Sequence, residues 1–249
     1  MQPGRGFALL DFWRGAREVY RSIFSLLHER EFIGMLRLPV WANMLVFALL
    51  IGIGWLLLQP LYTSAFATEW WLADGLRSRN AEHGPALWLT ATWLVLGMPL
   101  LDALAGALCE PLHLAAERAM FGNGPDLGLH RGAIARLRDR AKLCAVCLLL
   151  WPPALAIVLV PWIGLPLVLL LGAAIAAAVW SEQPMARRGL DLRQRLLVVW
   201  RNRWRALGVG VALQAAAAVP PLNLLGLSAI ATVAASSAYV QFEKQASKR

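Results

Sequence analysis

The stretch "AAAAVPPLNLLGLSAIA", residues 215–231, lies inside an apolar run over residues 206–240. Gln214 and Asn223 are the only strongly polar side chains in that run. Proline removes a backbone donor and disfavours helix in the residue before it. The paired prolines therefore predict a helical hairpin over 206–240, with a non-helical tip at 219–226 inside the bilayer region.

The depth of this hairpin has two readings. Its first arm, 206–218, reaches only about 20 Å as a helix, which is short of a hydrocarbon core of roughly 30 Å. A re-entrant hairpin needs a tip sheltered by protein or water, because unpaired backbone groups are costly in lipid. Asn223 is the candidate to hydrogen-bond that tip. The other reading is two ordinary tilted spans.

The composition of the 249-residue chain is that of an integral membrane protein. Hydrophobic residues make up 59% and charged residues only 16%, a balance that lipid solvates and water does not. The net charge is +9. In this context the charge indicates arginine-rich cytoplasmic segments near anionic lipid, and no nucleic-acid partner is predicted.

Three further apolar segments complete the predicted fold. Residues 40–58 and 86–109 are each long enough to cross a bilayer. Residues 143–180 hold "VPWIGLP" near their centre and predict a second hairpin. The predicted fold class is an all-α integral membrane protein with two long transmembrane helices and two Pro-tipped helical hairpins, re-entrant or spanning.

The distribution of charge along the chain predicts its orientation across the membrane. Residues 59–85 have a net negative charge, whereas the other polar segments are positive. Under the positive-inside rule, 59–85 lies outside the cell. The positive segments, including both termini, lie in the cytoplasm: 1–39, 110–142, 181–205 (a basic helix) and 241–249.

The N-terminal 39 residues predict an amphipathic helix. Arginines on one face alternate with apolar residues at helical spacing, and an interfacial helix has this pattern. Packing on a soluble partner is the alternative. The apolar positions are Leu9, Trp13, Ala16, Tyr20, Ile23 and Leu27.

No pattern predicts an enzyme, a metal or a cofactor. Cys144 and Cys147 form a C-x-x-C, but no histidine or second cysteine pair completes a zinc or redox site. We interpret both as packing residues. Nucleophile elbows, phosphate loops and dinucleotide fingerprints are absent from the sequence.

Several motifs resemble the CysZ-type sulfate permease family, to which the etoposide-induced membrane proteins are related. The motifs are "VPPLNLLGLSAIA", "SEQPM" with Glu182 and Pro184, "CEPLHLAAERA", and Pro39 with Asn43. The resemblance implies long transmembrane helices, two re-entrant hairpins, a homo-oligomer and sulfate uptake across a bacterial inner membrane.

One departure concerns the anion site. The family's Gly-(Leu/Ile)-Arg-Arg sequence, which is associated with sulfate, has no counterpart in "HEREFIGMLRLPVW". Gly34 and Arg37 are the nearest substitutes and are the predicted anion-binding residues. The alternative for Arg37 is an arginine that snorkels to the membrane interface.

Asp102 lies inside the second predicted span, where a carboxylate is costly and is usually paired or functional. It has a structural or a coupling role, and Asn223 belongs to the same class of buried polar residue. Two functions follow: a permease for sulfate or a similar small anion, or a non-transporting membrane protein of the same fold with a structural, assembly or envelope role.

Overall fold

The computed structural model describes residues 5–28, 36–53, 86–105, 133–160 and 162–246, with isolated positions at 34, 56, 60, 109, 114–115 and 118. Every regular element in this part of the chain is a helix, as the composition predicts. The helices are α1 (Arg5–His28), α2 (Arg37–Ile53), α3 (86–105, with a π-helical segment at Trp93–Gly97), α4 (Ala133–Ile157), α5 (Gly164–Trp180), α6 (Glu182–Arg187), α7 (Leu192–Arg201), α8 (Arg203–Ala217) and α9 (Pro220–Ala246).

Helix α8 lies at the centre and contacts α1, α5 and α9. Glycines in α8 allow this close packing because they have no side chain. A Cβ on Gly208 would overlap the carbonyl oxygen of Phe12 in α1, and one on Gly210 would overlap that of Ala173 in α5. Backbones approach this closely only where a small residue lies at the contact.

Helix α1 exposes five of its large apolar side chains and buries Leu26. Its smaller side packs on α8 and α9, with Ala16 and Val19 buried. The described part of this helix is Arg5–His28, and the rest of the predicted segment 1–39 lies mostly outside the described residues. The next helix begins at Arg37 with Pro39 in its first turn, where proline is favoured. The exposed apolar residues are Leu9, Leu10, Trp13, Tyr20 and Phe24.

Two helical stretches in the described residues are long and apolar enough to cross a membrane, Arg138–Ile157 and Gly164–Ala186. The predicted spans 40–58 and 86–109 correspond to the shorter apolar helices α2 and α3. Helix α4 begins at Ala133, inside the segment predicted as cytoplasmic, because no proline or glycine interrupts it before the apolar run. The predicted outer loop 59–85 lies outside the described helices.

Two breaks separate the paired helices. Between α4 and α5 the chain turns at 158–163, where exposed Trp162 adopts a left-handed φ of 67°. Between α8 and α9 only Ala218 and Val219 leave the helix. The predicted non-helical tip at 219–226 is therefore wrong: α9 resumes at Pro220 because the first turn of a helix does not need the N–H that proline lacks.

The basic segment 181–205 is not one helix. Gly189, with a φ of 74°, ends α6 and turns the chain. Asp191 then begins α7: its carboxylate accepts from the Gln194 backbone N–H at 2.7 Å, and the Gln194 side chain accepts from the Asp191 N–H at 2.9 Å. This reciprocal cap fixes where α7 starts.

Candidate functional site

Asp102 lies on α3 with 2% of its surface exposed and faces α4. Its Oδ2 lies 3.3 Å from Nε of Arg140, whose side chain is largely buried. An ionised carboxylate in an apolar interior needs such a counter-charge. Asp102 and Arg140 therefore form a buried ion pair between α3 and α4.

Two hydroxyl groups on α9 share a neighbour, Cys109, with this pair. Ser228 and Thr232 are fully buried and stand one helical turn apart on one face. The buried Cys109 thiol lies within electrostatic range of both hydroxyls and of Asp102 and Arg140. We call these five residues the polar cluster. It offers a cation and two hydroxyl donors, the groups that bind an oxyanion.

A second buried ion pair involves Asp139, the residue before Arg140 in α4. Oδ2 of Asp139 accepts from Arg195 of α7 at 2.9 Å. The Arg195 Nε also donates to the Leu190 carbonyl at 2.8 Å. Both charged side chains are more than nine-tenths buried. The adjacent residues Asp139 and Arg140 of α4 thus form ion pairs with two different helices, α7 and α3.

A third buried pair joins α1 to α8. The Glu18 carboxylate lies 3.6 Å from Arg205 and 3.8 Å from Arg21. Burial lowers the pKa of Arg205, while Glu18 and Asp11 raise it. Arginine stays protonated in spite of such shifts. The pair ties the amphipathic helix to the centre of the fold.

A buried amide lies between α8 and α5. Gln214 is 7% exposed, and neither its Oε1 nor its Nε2 has a hydrogen-bond partner among the described residues. It faces Gly172 of α5, which also packs against the carbonyl of Leu94 in the π-helical segment. A buried amide of this kind is a place where water or a ligand is expected.

The predicted anion-binding residues lie elsewhere. Arg37 is the exposed first residue of α2, and Gly34 is exposed with open space around it. The structure does not bring either into the polar cluster. The backbone of Asn223 lies in the first turn of α9; its side chain lies outside the described part of the structure.

Sequence reasoning missed Arg140, Ser228 and Thr232. Arg140 stood in a segment counted only for its charge. The four-residue spacing of the two hydroxyls in an apolar run was a visible signal. No group of histidine, cysteine and carboxylate side chains suited to a metal occurs within the described residues.

Comparison with known proteins supplies the family. Among curated proteins, none matches the chain. Residues 19–227 match the family described as "Sulfate transporter CysZ/Etoposide-induced protein 2.4". This match covers most of the chain and includes Asp102, Cys109 and Arg140 of the polar cluster. Ser228 follows directly after the matched region, and Thr232 lies one helical turn further on. The chain therefore belongs to the sulfate transporter CysZ/etoposide-induced protein 2.4 family.

Proposed function

We propose that this protein is a bacterial inner-membrane permease for sulfate or a similar small anion. The observation that carries the proposal is the family match over residues 19–227. The long apolar stretches in α4 and α5 support a membrane location. The exposed aromatic face of α1 fits a helix lying at the lipid interface.

The polar cluster is the part of the fold that we assign to the anion. A sulfate ion entering it would compete with Asp102 for Arg140, and the hydroxyls of Ser228 and Thr232 would donate to its oxygens. Protonation of Asp102 would release Arg140 to the anion. This exchange gives Asp102 a coupling role and leaves Arg37 as a second, surface-exposed anion site at the start of α2.

The charge distribution supports an orientation with both termini in the cytoplasm and residues 59–85 outside. We further propose a homo-oligomer, which the family resemblance implies. A non-transporting membrane protein with a structural, assembly or envelope role is the second candidate. The absence of a tandem arginine near Gly34 favours it, as does an Arg140 already neutralised by Asp102.

Uptake of radiolabelled sulfate into liposomes separates the two candidates. Native protein should take up sulfate above empty liposomes. Arg140→Gln should abolish uptake, whereas Arg138→Gln should not, because Arg138 is exposed on the same helix outside the polar cluster.

A folding control completes the experiment. Arg140→Gln leaves Asp102 without its counter-charge, which destabilises the protein by itself. The double variant Arg140→Gln with Asp102→Asn removes both charges and should recover stability without recovering uptake. Equal uptake by native protein and empty liposomes would favour the non-transporting role. Full uptake by the stable double variant would remove the polar cluster from the mechanism.

A further inference from the structure

An apolar groove of about 830 Å³ opens where α4 begins, α5 ends and α7 meets α8. Ala174 and Ala177 of α5 line one side, and Leu192 and Leu196 of α7 line the other. Leu196 is 44% exposed. An aliphatic surface this open to its surroundings suits a hydrocarbon chain.

Charged residues stand at the rim. Lys142 of α4, Arg193 of α7 and Arg203 of α8 all line the groove. Within the described residues, Lys142 and Arg193 form no ion pair. Three cations around an apolar groove are complementary to a molecule with an anionic head and an apolar tail.

The two carboxylates at the groove do not cancel these cations. Asp139 is bound to Arg195 at 2.9 Å. Asp191 caps α7 by accepting from the Gln194 backbone N–H. Arg195 neutralises Asp139, while Asp191 keeps its negative charge; against the three cations this still leaves the groove with a net positive charge.

An exposed tryptophan lies beside these cations at the rim of the groove. Trp200 lines the groove and is 64% exposed. The Arg203 guanidinium lies 5.5 Å from its ring centroid and 5.9 Å from that of Trp204. Exposed tryptophans and arginines concentrate at the lipid headgroup region, so the rim is at the depth where a phosphate would lie.

We propose that this groove binds one anionic phospholipid, with an acyl chain along the alanines and leucines and its phosphate against Lys142, Arg193 and Arg203. A soluble phosphate would gain nothing from the apolar walls. A second copy docked through the same face would set this cationic rim against itself. The site is separate from the polar cluster and does not depend on sulfate transport.

Fluorescence quenching by brominated lipid tests the site. The full-length protein in detergent is titrated with phosphatidylglycerol or phosphatidylcholine carrying the same brominated chains. The difference between native protein and Trp200→Phe isolates the signal of Trp200. We expect phosphatidylglycerol to quench Trp200 at a roughly tenfold lower lipid fraction, since basic residues strengthen binding of an anionic lipid several-fold each, whereas the choline cation of phosphatidylcholine offsets its phosphate.

Matched variants test whether the basic residues at the rim cause the preference for phosphatidylglycerol. Lys142→Gln with Arg193→Gln should remove the preference for phosphatidylglycerol. Arg138→Gln with Arg201→Gln should keep it, because both are exposed residues of the same two helices and do not line the groove.

Four results would overturn the proposal. Both lipids could quench Trp200 equally, or Trp200→Phe could leave the quenching unchanged. Soluble glycerol phosphate could displace the brominated lipid as effectively as unlabelled phosphatidylglycerol. The Lys142→Gln, Arg193→Gln variant could change the oligomeric mass and leave the lipid preference intact, which would make this face a contact between copies.

Discussion

Replacing glycine by alanine is expected to lower the stability of the protein at Gly210 but not at Gly52. Alanine is favoured over glycine inside a helix by roughly 1 kcal/mol. At Gly210, however, the added Cβ would overlap the Ala173 carbonyl oxygen and lie 2.7 Å from the carbonyl carbon. Both atoms belong to the backbone, so no change of rotamer relieves the overlap. Helices α8 and α5 must move apart.

Forcing one extra carbon into a packed interface costs roughly 1–3 kcal/mol, and a clash with backbone belongs at the upper end of that range. After the gain in helix propensity, we expect Gly210→Ala to lower the free energy of unfolding by about 1–2 kcal/mol. For a chain of this length that corresponds to a Tm lower by roughly 2–8 °C.

Gly52→Ala is the matched control. Gly52 lies in α2, and no described atom comes within 4 Å of the position that a Cβ would occupy there; the same change should leave Tm unchanged or raise it. Both are measured by thermal unfolding in one detergent, followed by circular dichroism. A Gly210→Ala protein as stable as Gly52→Ala would refute the close approach of α8 and α5.

Three other predictions concern charge. Asp139→Asn and Arg195→Met should each destabilise the protein by roughly 3–5 kcal/mol, while the double change should cost much less than their sum, because no charge is left alone; chemical denaturation checks this, and additive effects would argue against a buried pair. Arg37→Ala should weaken stabilisation by sulfate without abolishing it, because the polar cluster remains, and Arg37→Lys should weaken it less, since the charge survives and the bidentate fork is lost; a thermal shift with sulfate that is unchanged in Arg37→Ala would exclude this residue. A cysteine at Ser78 should react with an impermeant thiol reagent added outside intact cells, whereas one at Ser247 should not, and the reverse pattern would invert the proposed orientation.

The helical class was readable from the sequence because composition and periodicity are local properties. The α1 pattern at Leu9, Trp13 and Tyr20 identified a helix, and its exposed apolar face agrees with the amphipathic prediction. The proline rule located the α8–α9 break but not its extent. Proline disrupts a helix interior and is accepted in a first turn, so Pro220 and Pro221 begin α9.

The partners of the buried charges could not be read from the sequence. The position of Asp102 in an apolar run predicts that it needs a counter-charge, but not which one. Its partner Arg140 is set by how α3 and α4 pack, and nothing local distinguishes it from the exposed Arg138. Gly208 and Gly210 likewise resemble ordinary small residues until the neighbouring backbones are in place.

The neighbouring acid and base on α4 restrict how the protein can move. Asp139 holds α7 and Arg140 holds α3, so sliding or rotating α4 would separate both pairs together. At roughly 3–5 kcal/mol for each uncompensated pair, such a state would occur in on the order of one molecule in ten thousand or fewer. As long as Asp102 is ionised, helices α3, α4 and α7 are therefore expected to move as one rigid body. If the protein transports an anion as proposed, movement in that state would take place at contacts that carry no buried ion pair among the described residues, such as those that α9 makes with α2, α5 and α8.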